Sequence, residues 1–372
     1  MGLRLALACA VIAAVATARA QYQVYWGDTH GHTGLSDGKG TPADYFAHAR
    51  DVAKLDFVIL TDHDFGNASP WRMPKENWQA TQAAAEAATT EGRFVAIAGY
   101  EWTSQPKYWS GFSNGVGSEH LFPGPPRFYN HKNVYFTNEV DYLFSAKDAA
   151  FQTPDMLAAA VRHAGGLIQN NHPSTDAECR EQFKYDPDWS SVIANTEMLA
   201  DAIRYKGKTY RVNGERVVRE FLARGGKTGF VGGTDSHEGK PASRTAVLAS
   251  SLTRDGIFDA LGHRRNYAVS NARIVLDFRI SGHFMGEEIR IAGKPRLAVT
   301  VQGTARIKEI VVVRDGVVCH RTTPRRERTR FDWVDKAFRV SSYYYVRVTQ
   351  ADRDENGNPS RAWSSPIWVS KR

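Results

Sequence analysis

One pairing, repeated along this chain, constrains its fold more than any other feature. A short apolar run stops, and at its end stands a histidine, an acid or both. QVYWGD leads to Thr29-His30-Gly31-His32, DFVIL to Thr61-Asp62-His63, and FVAIA to Gly99-Tyr100-Glu101. Further on, LIQ leads to Asn170-Asn171-His172-Pro173, SVIAN to Glu197, and GFVGG to Thr234-Asp235-Ser236-His237. Short apolar runs bounded by turn residues read as buried strands. Helical segments lie between them. Thr41-Pro42-Ala43-Asp44 is a helix start, with Thr41 as N-cap and Pro42 in the first helical position. Tyr45, Phe46, Ala49, Val52 and Ala53 continue it as an apolar face up to Lys54, with His48 on the polar side. Residues 75 to 91 are helical by propensity, Thr153-Pro154-Asp155 caps another helix, and two more follow from Gly214 to Ala223 and near Ile257 to Gly262.

Strand–helix alternation predicts an α/β fold with parallel strands and helices packed outside. In a barrel of this type the carboxyl ends of the strands share one rim, and chemistry collects there. Residues as distant as His30 and His237 would then meet. Residues 103 to 150 break the rhythm, with aromatics, glycines and prolines around NVYFTN, and read as a long insertion over the rim. After about Asn271 the helices stop. RIVLDFRI, RLAVTVQG, IKEIVVVRDG, YYYVRVTQ and SPIWVS predict a small all-β, sandwich-like C-terminal domain over 271–372, following a barrel over 21–270. Packing against the barrel is its favoured role, with binding of a polymer or surface as the alternative.

The strand ends supply His30, His32, Asp37, His63, Glu101, His172, Asp235 and His237, and the insertion adds His131 in NHKNVYF. That is more donor groups than one metal ion can use. Imidazole with carboxylate suits Zn, Mn or Fe, and a set without cysteine speaks against structural zinc. Taken singly, each histidine reads as a surface or core residue, and HxH or TDH recurs by chance. The ordered series at successive strand ends is what points to metal.

Those motifs resemble a known family. His30-x-His32 with Ser36-Asp37-Gly38, Thr61-Asp62-His63, Glu101, His172 and Asp235-x-His237 are similar to the successive motifs of the PHP (polymerase and histidinol phosphatase) superfamily, over roughly residues 24 to 270. The resemblance implies a distorted (β/α)7 barrel, two or three divalent metal ions and a phosphoesterase that uses a metal-activated hydroxide. It places His30, His32, Glu101 and Asp235 around one metal, and Asp37, His63 and His237 around a second. Glu101 would bridge to a third, held by His131 and His172. Asp37 stands where many relatives carry histidine, and His120 competes with His131. The extra GYEW and HKNVYF, the leader and the β tail resemble a secreted branch of the family.

Around these ligands, Asp62 is expected to orient a metal-bound imidazole, and Asn171 and Ser236 to contact substrate. For all three, turn formation is the plainer alternative. Arg244, in SRTAV, is the first choice of cation for a substrate phosphate, because a guanidinium binds two oxygens at once. Lys39 and Lys240 stand behind it, and an ordinary surface arginine is the alternative. Asp62, Glu101 and Arg244 are thus the expected catalytic groups. Glu197 reads either as an acid or orienting group or as a helix N-terminal residue. A phosphate loop of the G-x-x-x-x-G-K-S/T type and a G-x-S-x-G elbow are both missing from the sequence.

Composition narrows the rest. The chain has 372 residues, 42% hydrophobic and 24% charged, an ordinary globular balance. Arg4, the uncharged LALACAVIAAVA and then Ala18-Arg19-Ala20 read as a signal peptide over 1–20, cut before Gln21. The apolar stretch is too short for a membrane span, and no later one is long enough, so a periplasmic or secreted location is expected. Loss of Arg4 and Arg19 takes the net charge from +8 to +6. That mild excess favours anionic ligands, and the resemblance implies that the anionic small molecule is a phosphate ester. The basic residues are dispersed and lack a nucleic-acid motif, so no nucleic acid is expected. Their one dense cluster, RTTPRRERTR from Arg321 to Arg330, reads first as a solvated loop. Cys179 and Cys319 are expected as separate thiols. Oligomeric state stays open. The expected function is that of a metal-dependent hydrolase acting on phosphate esters. The alternatives are a metallohydrolase of another ester or amide, or a non-catalytic metal-dependent binding module.

Overall fold

The computed structural model describes residues 22–64, 73–103, 129–173 except 142 and 147, 214–372 except 271, 355 and 356, and the backbone alone of 194–197, 202–205 and 208–211. The expected leader, His120, Cys179, most of the expected insertion and the side chain of Glu197 lie outside these residues.

The first part begins with β1 (Gln23–Asp28), α1 (Pro42–Ala47), β2 (Phe57–Leu60), α2 (Lys75–Ala88) and β3 (Val95–Thr103). Then come β4 (His131–Tyr135), α3 (Pro154–His163), β5 (Leu167–Asn170) and β6 (Ala194–Glu197). The hairpin β7 (Ala202–Tyr205) and β8 (Lys208–Arg211) follows, then α4 (Gly214–Ala223), β9 (Gly229–Val231), β10 (Thr245–Ala249), α5 (Arg254–Gly262) and β11 (Asn266–Val269). Local chemistry sets the helix starts. Thr41 Oγ1 accepts from the Asp44 amide at 3.2 Å while the Asp44 carboxylate accepts from the Thr41 amide at 3.0 Å, a reciprocal cap in front of Pro42. Thr153 and Thr253 cap α3 and α5 with the side chain alone, accepting from the amides of Met156 and Gly256. All four residues of β2 are buried, as a strand covered on both faces requires.

β1, β2 and β3 pair in parallel, as do β5, β6 and β9. Within the described part of the large sheet, β4 and β10 depart from the expected all-parallel arrangement, and the β7–β8 hairpin is antiparallel on its own. β4 lies between β3 and β5, antiparallel to both, so residues 131–135 of the expected rim insertion form an internal strand of the sheet. β10 runs antiparallel to β1 and to β11. Among the described residues, the hydrogen-bonded path of strands does not return on itself. At the rim, one isolated parallel bridge, Gly31 to Ser236, joins the segment after β9 to the segment after β1. The fold is therefore α/β with one large mixed sheet.

The remaining strands are β12 (Val275–Ile280), β13 (His283–Phe284), β14 (Glu288–Ile291), β15 (Arg296–Gln302), β16 (Ile307–Arg314), β17 (Val317–Thr322), β18 (Arg328–Val334), β19 (Ser342–Arg353), β20 (Pro359–Ser364) and β21 (Ile367–Lys371). β13, β12, β15 and β18 form a sheet of their own. The others extend the large sheet, because β20 pairs antiparallel with β11. Apolar packing follows the same junction. Trp26, Leu248, Tyr267 and Val269 share one core with Leu276, Val299, Val346 and Val369. A second cluster packs Val218 and Leu222 of α4 on Val311, Tyr345 and Trp363. The β region is thus joined to the first part by strand pairing and by shared core. Among the described residues, no helix is long and apolar enough to cross a membrane.

Candidate metal centre

Continuation of the strand ladder beyond the strands brings the motif residues to one place. The His32 amide donates to Ser236 O at 2.9 Å, the Thr61 amide to Gly31 O at 3.0 Å, and the Glu101 amide to Asp62 O at 2.9 Å. The segments after β9, β1 and β2 and the end of β3 therefore lie side by side. Gly31 has a steric reason to be glycine: a Cβ there would sit 2.4 Å from the Tyr45 hydroxyl. Pairing of β3 with β4 sets Glu101 opposite Asn133 and Thr103 opposite His131. These four share one face, while Tyr100, Trp102 and Val134 point into the apolar core behind it.

Glu101 is the focus. Its side chain is 1% exposed, and five imidazoles face its two oxygens. Oε1 lies 3.4 Å from His30 Nε2, 3.0 Å from His131 Nδ1 and 3.6 Å from His172 Nε2. Oε2 lies 3.4 Å from His32 Nε2 and 3.1 Å from His63 Nδ1. The rings form a closed circuit, His30–His32–His63–His131–His172–His30, with centroids 4.7 to 5.9 Å apart, and His237 stacks on His32 at 4.4 Å. Asp235 Oδ1 lies 3.4 Å from His30 Nε2 and 3.1 Å from His32 Nε2. Asp37 Oδ2 lies 3.2 Å from His237 Nε2 and 3.5 Å from His63 Nε2, and Asp37 Oδ1 lies 3.6 Å from His32 Nδ1. All nine side chains singled out in the sequence converge.

These donors suit divalent ions. With metal–ligand bonds of about 2.0–2.2 Å, neighbouring donor atoms around one ion stand about 3.0–3.5 Å apart, and the spacings above fall in or just beyond that range. Among the described residues, three groups are compact enough to hold an ion: His30, His32 and Glu101; His32, Asp37, His63 and His237; and His63, Glu101 and His131. Among the described residues, the buried His32 Nδ1 makes no hydrogen bond, which leaves it a lone pair or proton to give. Compared with the grouping implied by resemblance, His32 stands between two groups and His63 completes the third in place of His172. Shared ligands mean that adjacent ions would be close neighbours.

Electrostatics agree with a site built for cations. Burial alone would raise the Glu101 pKa, but the imidazoles of His131, His63 and His30 hold it well below the usual carboxylate range. Asp37 is likewise held low: burial raises it, and hydrogen bonds with His237 and His63 more than offset that. Burial pushes His131 down to about 4, while the hydrogen bond with Asp37 lifts His237 to about 9. Backbone strain marks the same rim. His172 and Asp235 have φ of 27° and 49°, and Asn130, beside His131, has φ of 62°.

The neighbouring polar residues redistribute the expected roles. Asp62 does not orient an imidazole. Its Oδ1 accepts from the Thr33 amide at 2.7 Å and Ser36 Oγ at 2.6 Å, and its Oδ2 from Thr33 Oγ1 at 2.6 Å, so it fastens the loop between His32 and Asp37. Asp28 does the same for the Thr234 segment, accepting from Thr234 N, Thr234 Oγ1, Ala242 N and His30 N. Burial pushes Asp28 up to about 6 against those hydrogen bonds. Asn171, expected to meet substrate, donates to Glu101 Oε1 and to Asn133 Oδ1, both at 2.7 Å. His63 Nδ1 meets Thr103 Oγ1 at 2.7 Å. Ser236 Oγ accepts from the Lys240 amide at 3.0 Å, and Lys39 pairs with Glu238 at 2.8 Å. Arg244 is placed by its backbone, whose amide donates to Gly27 O at 3.0 Å. Asn133, Thr103 and Asp28 were not singled out from sequence. The period of two in HKNVY was the available signal for Asn133, since it must share a face with His131.

No family model matches. Uncharacterised proteins of Chlamydia muridarum and Chlamydia trachomatis are each 26% identical over 376 residues, covering 92% of this chain and 57% of their own length. The chain thus spans little more than half of these relatives. A crystal structure from Bacteroides vulgatus, described as a two-domain protein containing a predicted PHP-like metal-dependent phosphoesterase, overlays on 94% of this chain and 96% of that one. The sequence identity is 16% and the TM-score 0.48.

Proposed function

We propose that this chain is a metal-dependent hydrolase of phosphate esters, with a distorted barrel as its catalytic part and two or three divalent ions held by the nine donors. One observation carries the reading: five imidazoles converge on the buried carboxylate of Glu101, at the spacing that ligands of a shared ion cluster adopt. Bound there, divalent ions supply Lewis acidity, polarising a substrate oxygen and lowering the pKa of a bound water to about 7. The chain's own residues then do the positioning. Asn171 and Asn133 hold Glu101 in one orientation, and Thr103 fixes the ring of His63. Asp62 and Asp28 anchor the loops that carry His32, Asp37 and Asp235. Asp37, Asp235, His237 and His172 are the more open members, so substrate enters from their side. A phosphate ester suits the site because clustered ions sharing ligands would neutralise both the attacking and the departing oxygen of one in-line displacement at phosphorus. The N-terminal stretch is read as a secretory leader, which makes the working location periplasmic or extracellular.

The test is elemental analysis of the purified protein combined with a screen of phosphate, sulfate and carboxylate esters. Divalent metal bound in at least two equivalents, with turnover confined to phosphate esters, is the expected result. Full turnover after chelation would overturn it.

A further inference from the structure

We propose that the C-terminal β region carries a second, metal-independent site: a cleft that binds molecules bearing several phosphate or sulfate groups. The cleft has a volume of about 920 Å³, within the size range of small-molecule sites. Its described lining includes Arg306, Lys308, Arg325, Arg347, Arg353 and Arg361, against a single acid, Glu309. Glu309 is already paired with Arg321, so it does little to neutralise the other cations.

Strand register explains the clustering. β16, β19 and β20 lie side by side, with Glu309 opposite Thr349, Thr349 opposite Arg361, and Val311 opposite Arg347. On this face Val311, Tyr345 and Trp363 are covered by α4. Glu215, near the start of α4, receives Arg347 Nη1 at 2.8 Å. Beyond that point the same face carries Thr349 and Arg361 into the cleft. Irregular register at Ile307/Glu309 and at Thr349/Arg353 bends both strand pairs around it. The middle of the basic run RTTPRRERTR closes one side through Thr323 and Arg325, while the ends of the run, which reads as a solvated loop from sequence, belong to β17 and β18. Arg325 donates its amide to Ile307 O at 3.0 Å and adopts φ of 57°, which sets its side chain at the cleft.

The lining selects the ligand class. Five of the six cations are arginines, whose planar forks match the oxygens of phosphate and sulfate. Among the described residues, buried Arg347 Nε has no acceptor, a donor that an oxyanion would satisfy. No aromatic side chain is among the described lining residues, so nucleobases have nothing to stack on. Compact oligophosphates and polysulfated chains share the chemistry that fits.

The test compares two triple variants with equal loss of charge. Arg306→Gln, Lys308→Gln and Arg325→Gln removes exposed cations of the cleft. Arg326→Gln, Arg328→Gln and Arg330→Gln removes exposed cations of the same run outside it. Binding of inorganic tripolyphosphate and of dextran sulfate is measured by calorimetry at low and at physiological salt, on full-length wild type, both triples and His63→Ala. The expected result is at least one probe bound in wild type, weakened at least tenfold in the cleft triple and by salt, and retained in the control triple and in His63→Ala. Tripolyphosphate binding identifies oligophosphates as the ligand source, and binding of dextran sulfate alone identifies polysulfated chains. No binding of either probe at low salt overturns the proposal, as does equal weakening in both triples. Turnover of phosphate esters by the cleft triple at the wild-type rate is expected in either case, which separates this inference from the metal site.

Discussion

Glu101 keeps its charge at full burial because five imidazoles and an asparagine face it, and an isolated carboxylate in that position would protonate instead. Replacing a donor at the centre therefore removes function before it removes structure. His63→Ala or Asp235→Ala is expected to abolish phosphate-ester turnover and lower bound metal while far-ultraviolet circular dichroism stays unchanged. The asparagine beside Glu101 acts one step back. Asn171→Ala should weaken metal binding or turnover by about 10- to 100-fold, the usual cost of losing a group that orients a ligand, and metal titration measures it. Gly31 makes a different point: the residue between the two histidines is limited by space. Gly31→Ala drives a methyl into the Tyr45 ring and should cost about 1–3 kcal/mol by overpacking. A denaturant melt that shows no change would remove that explanation of the HGH motif.

At the scale of elements, β4 and α4 show how a site and a junction are built from single strands and helices. β4 enters the sheet antiparallel, and only that pairing sets His131 across from Thr103 and Asn133 across from Glu101. α4 binds the β region through Glu215, which accepts from Tyr345 Oη at 2.7 Å, Arg347 Nη1 at 2.8 Å and Trp363 Nε1 at 3.2 Å. Burial pushes Glu215 up, and Arg347 together with these hydrogen bonds more than offsets it, so its pKa falls below the ordinary 4.5. A carboxyl with a lowered folded pKa contributes stability that is complete above its unfolded pKa and fades as pH falls through the folded value. The wild type should accordingly lose a part of its stability on acidification below about pH 4.5, a part that Glu215→Gln no longer shows. Glu215→Ala should cost about 3 kcal/mol at neutral pH, because it leaves a partly buried guanidinium without its partner.

At the scale of the whole molecule, the two parts cannot be treated as beads on a string. β11 pairs with β20, and Trp26, Leu248, Tyr267 and Val269 bury their side chains against residues beyond 270. A chain ending at residue 270 would expose that apolar surface, and exposed patches of this kind drive association. Such a truncation is expected to be insoluble or to bind a hydrophobic dye strongly, while the full chain does neither. Metal belongs to this scale as well, since its donors come from six strands and the segments that adjoin them. Ions bound at a hundred times their dissociation constant should add about 2.7 kcal/mol to stability. Chelation should lower the melting temperature and addition of divalent metal should restore it.

Much of this was legible in the linear chain, for a physical reason. Apolar runs that end in turn residues mark strand ends, and His30, His63, Glu101, His172 and Asp235 stand at those ends whatever the order of strands in the sheet. The caps at Thr41 and Thr153 are local, so sequence alone locates the helices after them. The antiparallel entry of β4 was not legible, because period-two alternation is the same in either direction. Nor was the role of Asp62: an aspartate beside a ligand reads alike whether it turns to an imidazole or, as here, to Thr33 and Ser36. Local propensity and spacing determined which residues stand at strand ends. Strand order, register and the continuity of the sheet through residue 270 arise from non-local pairing, so only the tertiary structure decided them.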